Sequence, residues 1–214
     1  YFRMSSWKDI LTQYLDEGYP KWTNMDGKLG EIIEMNKNLL YQHISNMFHE
    51  TLNEHFYKIL RIDIIKNIPL MKNYQNQRKY LKKIMKMTNI NEQYLWHGST
   101  KPNIKNIAMN GFKYERNKKH VYGKGTYFGK TAKKSLHYAT PNEFGLHVMV
   151  LSRVILGQYC KGKTRYLYPP RNSKRVQYNS MVDNVVNPSI FVVSNDYQCY
   201  PEFIIQFSEI GLKK

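Results

Sequence analysis

Two short motifs constrain this chain more than any other part of its sequence. Residues 95–99 read Leu-Trp-His-Gly-Ser, and residues 123–128 read Gly-Lys-Gly-Thr-Tyr-Phe. Both combine apolar residues with glycines and a polar side chain, which is typical of a strand that ends at a site. Ser135 and Tyr138 follow, three positions apart, so that on a helix they share a face. The order and spacing of these residues predict one site built from two strand ends and a helix.

Length and composition favour a single domain. A chain of 214 residues with 42% hydrophobic residues can bury a substantial core. It contains no run of about 18 apolar residues, so we expect no membrane span. The chain begins with tyrosine and lacks a signal-peptide pattern, so we expect a domain excised from a longer protein. Its two cysteines, Cys160 and Cys199, favour a reducing, intracellular compartment, and no Cys/His cluster has metal-ligand spacing.

The formal net charge of +17 has two interpretations. A basic surface attracts polyanions and permits nucleic-acid binding. Lysine, asparagine, tyrosine and isoleucine are abundant together, however, as the codon bias of an AT-rich genome produces. Charge alone therefore names no partner.

Hydrophobic periodicity predicts helices mostly early in the chain and strands mostly late. The predicted helices cover residues 7–15, 39–52, 69–88, 104–110 and 131–139. The predicted strands cover residues 60–64, 94–96, 126–129, 146–155, 190–193 and 203–207. Residues 18–35 are predicted to be irregular or hairpin-like, and residues 160–188 to form a long loop. This order predicts an α+β fold with antiparallel sheets, and the absence of Gly-x-Gly-x-x-Gly excludes the dinucleotide-binding fingerprint.

Within the strand over 60–64, alternation predicts two different faces. Leu60, Ile62 and Ile64 are expected on the buried face. Arg61 and Asp63 are expected on the opposite face, so that the strand is half buried.

The helix over 69–88 is expected to turn Leu81, Ile84 and Met85 inward. Its outward face carries basic side chains: Arg78, Lys79, Lys82, Lys83 and Lys86. A face of this kind is either simply solvated or able to bind phosphate groups.

The two motifs, Asn-Gly-Phe at 110–112, and the pair Ser135 and Tyr138 resemble the nicotinamide pocket of the poly(ADP-ribose) polymerase family, the diphtheria-toxin-like ADP-ribosyltransferases. The resemblance runs from about Phe56 to the C-terminus, and residues 1–55 match only loosely. It implies one catalytic domain over residues 1–214, with antiparallel sheets and flanking helices around an NAD cleft. It also implies NAD as co-substrate, no metal, and no helical regulatory domain of the kind found in polymer-forming members.

The resemblance implies a role for each motif residue. Tyr127 and Tyr138 would sandwich the nicotinamide ring, with the spacing of eleven residues that the family shows. His97 would bond a ribose hydroxyl of NAD, and Ser99 would lie along the same ribose.

The carboxamide of nicotinamide would be held by the main chain. Gly98 lacks a side chain, so a ligand amide can approach its backbone closely. Its N–H and C=O are a matched donor and acceptor for a primary amide, and Ser135 could add a hydroxyl to the same group.

The C-terminal segments, residues 178–184, 187–193 and 198–205, resemble the mono-ADP-ribosylating branch of the family. Polymer-forming members complete a His-Tyr-Glu triad with a glutamate. Glu202 lies in a similar Tyr-Pro-Glu-Phe context, but anchoring on Gln198 and the terminal strand places the third triad position at Ile190. The resemblance then implies a His-Tyr-Ile triad, with Glu202 structural.

An isoleucine at the third position accepts neither a hydrogen bond nor a proton. The acceptor must then supply its own nucleophile, and chain elongation has no base. This predicts transfer of one ADP-ribose to protein acceptors.

Two basic loops flank the implied site. Residues 113–122 correspond to the loop over the donor site, and its Arg116, Lys118 and Lys119 could meet the diphosphate. Residues 160–182 correspond to the acceptor-side loop, where basic side chains would favour acidic or phosphorylated substrates. These side chains are Arg165, Lys174 and Arg175.

Two alternative functions remain open at this point. The positive net charge permits ADP-ribosylation of nucleic-acid ends instead of proteins. A catalytically silent module that binds NAD or a partner would keep the same fold, although the presence of His97 and Tyr127 argues against it.

Overall fold

The computed structural model describes residues 30–86, 89–118 and 120–211. The helices are α1 (Leu39–His49), α2 (Ile68–Met85), α3 (Lys101–Asn110) and α4 (Ala132–Leu136). The strands are β1 (Gly30–Glu34), β2 (Tyr57–Asn67), β3 (Glu92–Gly98), β4 (Thr126–Gly129), β5 (Leu146–Ile155), β6 (Tyr159–Lys161), β7 (Ser180–Val182), β8 (Ile190–Val193) and β9 (Cys199–Glu209). Short 3-10 helices occur at Tyr114–Arg116 and Asp196–Gln198. The helix predicted over 7–15 lies outside the described residues.

The described strands form one sheet in the order β1-β2-β9-β5-β3-β4-β8-β7-β6. Every neighbouring pair is antiparallel except β6 and β7, which are parallel. The predicted α+β class is therefore confirmed, with a single continuous sheet in place of several.

Helices cover both faces of this sheet. β5 is buried along almost its whole length, because successive side chains point to opposite faces and both faces are covered. Met149 packs in the cluster that contains α1, while Val150 packs in the cluster that contains α3. α2 packs beside the end of β5, through a third cluster that includes Tyr74 and Tyr200.

The prediction for the faces of the strand over 60–64 was partly wrong. The register shifts between Ile59 and Arg61, so Leu60 is an extra residue and is 46% exposed. Ile62 is fully buried, as expected. Asp63 is buried as well, where its carboxylate accepts hydrogen bonds from Arg61 and Gln206.

Helix α2 also differs from its predicted orientation at one position. Leu81 is buried and Met85 is partly buried, but Ile84 is 52% exposed. A helix turns by about 100° per residue, which carries Ile84 off the buried stripe that Tyr74, Leu81 and Met85 share.

Several predicted boundaries change as well, and most of the other strands and helices differ from their predicted bounds by a few residues at one or both ends. Residues 30–34 form β1 instead of irregular structure, because they pair with β2. The predicted loop over 160–188 contains β7, since Met181 and Val182 pair with β8. The helix predicted over 131–139 ends at Leu136, and separate turns carry the chain on to Ala139.

A buried polar cluster joins three adjacent strands at the centre of the sheet. Glu202 of β9 accepts from Arg153 of β5, with Oε1–Nη2 at 2.6 Å and Oε2–Nε at 3.1 Å. The hydroxyl of Tyr94, on β3, donates to Glu202 Oε2 at 2.6 Å. Burial alone would lower the pKa of Arg153, but the neighbouring Glu202 carboxylate raises it well above its usual value. The pair is therefore joined by two hydrogen bonds between buried groups, and Tyr94 adds a third to the same carboxylate.

The variant Glu202→Gln keeps the shape of the side chain and removes the charge opposite Arg153. We expect its free energy of unfolding to fall by about 3–5 kcal/mol, because the guanidinium is left buried without a counter-charge. Chemical denaturation followed by circular dichroism measures this change. Tyr94→Phe removes one hydrogen bond to the same carboxylate and should cost less, about 1.5–3 kcal/mol. A Glu202→Gln protein as stable as the parent would contradict the prediction.

Candidate active site

The candidate site lies where β3 and β4 separate. Among the described residues these strands are paired only through Trp96 and Gly129. His97 and Gly98 continue β3 beyond that pair, and Tyr127 lies in the part of β4 that is not paired with β3. Both predicted motifs therefore meet at one opening in the sheet.

His97 bridges this opening. Its Nδ1 lies 2.8 Å from the carbonyl oxygen of Tyr127, and its ring packs edge-on against Phe112 and obliquely against Phe128. Burial lowers the pKa of His97 below its ordinary value of 6.5, although the bond to the Tyr127 carbonyl opposes the shift. The imidazole is therefore neutral near pH 7. Because Nδ1–H donates to the carbonyl, Nε2 is left as a hydrogen-bond acceptor.

Tyr127 is held through its hydroxyl by the preceding turn. The hydroxyl accepts from the backbone N–H of Tyr122 at 2.9 Å and donates to the carbonyl of Gly123 at 2.8 Å. Gly123 has φ +99°, a conformation that other residues rarely adopt. Burial raises the pKa of Tyr127, and the nearby hydroxyls of Tyr122 and Tyr138 raise it further. Hydrogen bonds from backbone N–H groups partly offset this rise. The ring is fixed before any ligand arrives.

Gly98 is required for the close approach of α4 to the end of β3. A Cβ atom at Gly98 would lie 2.1 Å from the carbonyl oxygen of Ser135 and 2.8 Å from the nitrogen of Ala139. Ser135 donates from its hydroxyl to the carbonyl of Trp96 at 2.8 Å, so its proton is already in use. Tyr138 follows α4 and is 64% exposed, so its ring is available for stacking.

His147 fixes the far end of this segment, a role that the sequence analysis missed. Its Nδ1 lies 2.6 Å from the carbonyl oxygen of Ala139, and its ring stacks on Phe207 with centroids 5.0 Å apart. The bond ties β5 to the turn that carries Tyr138. A histidine inside the apolar run 146–155 was the available signal.

A cavity of about 290 Å³ opens beside His97. Its lining includes Ser99, Arg116 and three asparagines, Asn103, Asn106 and Asn117. Asn103 donates to the Ser99 hydroxyl at 3.2 Å. The asparagines were missed, although the four-residue spacing of Ser99 and Asn103 at a helix start was a usable signal. Lys118 is not among the lining residues, and Lys119 lies outside the described residues.

Ile190 begins β8 and pairs with Gly129 of β4. Alternate residues of a strand share a face, so Ile190 lies on the same face as Val192, the partner of Tyr127. The other candidate for the third position, Glu202, lies on β9, which β5 and β3 separate from β4. Its carboxylate is already engaged by Arg153 and Tyr94.

The described residues contain no group of three or more His, Cys, Asp or Glu side chains that could hold a metal ion. In the same parts of the chain, no helix is both long and apolar enough to cross a membrane.

Sequence comparisons match residues 40–166 to the catalytic domain of poly(ADP-ribose) polymerase. The human protein mono-ADP-ribosyltransferase PARP11 is 32% identical over 213 residues, covering 88% of this chain and 62% of that protein. Mouse protein mono-ADP-ribosyltransferase PARP12 is 34% identical over 172 residues, covering 78% of this chain and 24% of that protein. Human protein mono-ADP-ribosyltransferase PARP14 is 35% identical over 176 residues, covering 78% of this chain and 10% of that protein.

The chain thus spans less than two thirds of the length of these relatives. The family profile covers more than half of the chain and includes both motifs that meet at the β3–β4 opening. The resemblance seen in the sequence is confirmed, and the chain belongs to the poly(ADP-ribose) polymerase catalytic domain family.

Proposed function

We propose that this chain is an NAD-dependent mono-ADP-ribosyltransferase that modifies protein side chains. The observation that carries the proposal is the His97–Tyr127 bridge across the separated strands, next to a polar cavity. The names of the relatives, which are protein mono-ADP-ribosyltransferases, support the same activity.

The shape and polarity of the site suit NAD. The cavity offers neutral amides and a hydroxyl for the adenosine part, and the Arg116 guanidinium for the diphosphate. At the other end, Tyr127 is held rigidly and Tyr138 is exposed, as stacking partners for a flat nicotinamide ring require. Gly98 would present its N–H and C=O to the carboxamide. Ser135 would receive an amide hydrogen, because its own proton is donated to Trp96.

Transfer requires one bond to break and one to form. The bond between C1′ of the ribose and the nicotinamide nitrogen breaks, and its electron pair leaves with nicotinamide. An acceptor nucleophile then bonds to the cationic C1′. Neutral His97 orients the ribose, because its Nε2 accepts a hydrogen bond from a ribose hydroxyl. Ile190 provides no base, so an already ionised acceptor, such as a carboxylate, is favoured.

The two cysteines bear on the compartment in which the proposed reaction takes place. Cys160 and Cys199 are both free, in agreement with a reducing intracellular compartment. We propose intracellular acceptor proteins, with acidic side chains as the modified groups. The extent of the domain, residues 1–214, stays a prediction.

Incubating the protein with NAD and an acceptor, followed by intact-mass analysis, tests the proposed function. We expect mass steps of one ADP-ribose at each modified site and release of nicotinamide. His97→Ala should lower kcat/KM by about tenfold or more, since it removes both the strand bridge and the ribose contact. Ladders of many units would contradict single transfer. NAD binding without nicotinamide release would indicate a silent binding module.

The same assay separates the two candidates for the third position. Glu202→Gln should still transfer single units in its folded fraction, because Glu202 acts in the core and not on NAD. Loss of activity in a fully folded Glu202→Gln protein would place the carboxylate in the mechanism instead.

The protonation of His97 gives an independent prediction. Its pKa is lowered from 6.5 in the folded protein, so the imidazole should stay neutral until the pH falls below that value. NMR titration of the His97 ring, compared with kcat/KM between about pH 5 and 8, measures this. Between the lowered pKa and 6.5 the unfolded chain binds more protons, so the contribution of His97 to stability should rise with pH. A ring that titrates at or above 6.5 would contradict the prediction.

A second candidate activity, on nucleic acid, is favoured by the surface of α2. Residues 68–86 contain six basic residues and no acidic one. Arg78 pairs with Glu92 at 2.8 Å. The other five have no ion pair within the described parts of the chain: Lys72, Lys79, Lys82, Lys83 and Lys86.

Two measurements test this candidate: NAD-dependent modification of the phosphate termini of a single-stranded oligonucleotide, and its binding, measured by fluorescence anisotropy over a range of salt concentrations. Replacing Lys79 and Lys83 by glutamine should reduce the slope of log K against log salt by about 1.4, from about 0.7 for each lost phosphate contact. Replacing the exposed Lys37 and Lys58 by glutamine is the matched control. Equal slopes in both variants would show that α2 is only solvated.

A further inference from the structure

The cavity beside His97 takes its positive charge from one short segment, residues 113–117, which we call the donor segment. Apart from the neutral His97, the basic residues in its lining are Lys113 and Arg116, and Asn117 lines it as well. Among the described residues that form the lining there is no aspartate or glutamate. The placement of the donor segment therefore sets the positive charge that the cavity offers to an anion such as a diphosphate.

The start of the donor segment is held by Asp196, which lies 82 positions after Tyr114 in the chain. Asp196 Oδ1 accepts from the backbone N–H of Tyr114 at 2.8 Å. Tyr114 is the first residue of the 3-10 helix Tyr114–Arg116, so its N–H has no partner within that helix. Asp196 Oδ2 lies 3.8 Å from Lys113 Nζ. One carboxylate thus contacts both of the residues that open the donor segment.

The ion pair leaves Lys113 able to bind a ligand. At 3.8 Å the ammonium lies beyond hydrogen-bond distance of the carboxylate, and an ammonium carries three donors. The Lys113 side chain is half exposed and lines the cavity. Asp196 therefore keeps the charge of Lys113 at the cavity and leaves its protons for an anion.

Asp196 lies on a turn, residues 194–198, that is anchored at both ends. The Ser194 hydroxyl donates to the carbonyl of Lys124, shortly before β4. Gln198 is buried, and its Nε2 donates at 2.7 Å to the carbonyl of the last residue of β5. The turn thus gives the donor segment a point of attachment that is fixed to the sheet.

Two further contacts hold the donor segment, and neither replaces the bond to the Tyr114 backbone. Asn117 Nδ2 donates to the carbonyl of Gly125 at 3.0 Å, at the far end of the segment. The Tyr114 hydroxyl is hydrogen-bonded to that of Tyr168, a side chain that is 59% exposed. Loss of the Asp196 carboxylate would therefore release the backbone beside Lys113 while the rest of the segment stays attached.

We propose that Asp196 is a positioning residue for NAD, which holds the start of the donor segment so that Lys113 and Arg116 meet the diphosphate. The inference rests on the proposed function, which puts NAD in this cavity. Asp196 is not among the described residues that line the cavity, so it acts through the donor segment. It serves the ADP half of NAD and takes no part in breaking the bond to nicotinamide.

Binding of ADP and of nicotinamide, measured separately by isothermal titration calorimetry, tests this role. Asp196→Ala should weaken ADP binding about tenfold, the size of one lost hydrogen bond to a charged group. Nicotinamide binding should be unchanged, and the KM for NAD should rise by a similar factor at constant kcat. The direction is diagnostic, because removing a carboxylate near an anion site should by charge alone tighten ADP binding.

Two variants separate position from charge, with the unfolding midpoint of each as the check on folding. Asp196→Asn keeps an oxygen that can accept from the Tyr114 N–H, so it should recover most of the ADP affinity. Glu115→Gln removes a carboxylate from the donor segment itself. Glu115 is exposed and has no ion pair within the described parts of the chain, so this variant should bind ADP as tightly as the parent or more tightly.

The outcomes distinguish the two proposals. Unchanged or tighter ADP binding in Asp196→Ala, or equal weakening of ADP and nicotinamide, overturns the role of Asp196. Weakening of the same size in Glu115→Gln overturns it as well. A parent protein that binds ADP but releases no nicotinamide from NAD overturns the proposed function and leaves the ADP comparison valid. A parent protein that binds no ADP overturns both.

Discussion

The site depends on one hydrogen bond, between His97 Nδ1 and the carbonyl of Tyr127. β3 and β4 must separate to admit a ligand, yet among the described residues a single pair, Trp96 and Gly129, joins them. The imidazole spans the gap beyond that pair, and its burial against Phe112 and Phe128 keeps it neutral. The His97 side chain thereby links the two strands beyond their last pair and leaves its Nε2 as a hydrogen-bond acceptor in the opening.

A second constraint acts on Glu202, whose Tyr-Pro-Glu-Phe context resembles that of the glutamate in polymer-forming members. Its carboxylate is held in the core by other side chains. Glu202 is surrounded by Arg153 and Tyr94 at the centre of the sheet, where an unpaired charge would be costly. Ile190 begins β8 and pairs with Gly129 of β4, and the Asp183 carboxylate accepts hydrogen bonds from the backbone N–H groups of Ser189 and Ile190. Both carboxylates are therefore engaged in holding the fold together.

Much of this architecture could be predicted from the sequence, because apolar runs and turn residues act locally. The bounds predicted for β4, β5 and β8 agree with those observed, since a glycine or a polar residue lies within two positions of each strand end. Side-chain faces were harder to predict. A bulge exposes Leu60 and the rotation of α2 exposes Ile84. Neither the extra residue of a bulge nor the phase of a helix against its sheet is encoded in hydrophobicity alone.

The sequence by itself determined the two motifs, the eleven-residue spacing of Tyr127 and Tyr138, and the isoleucine at position 190. Tertiary structure decided how these residues are used. The proton of Ser135 is donated to the carbonyl of Trp96, His147 anchors the turn that carries Tyr138, and asparagines of α3 line the cavity. These contacts join segments that lie far apart in the chain or that meet only where β3 and β4 separate. They arise from the geometry of the sheet and not from local pattern, so only the folded chain could reveal them.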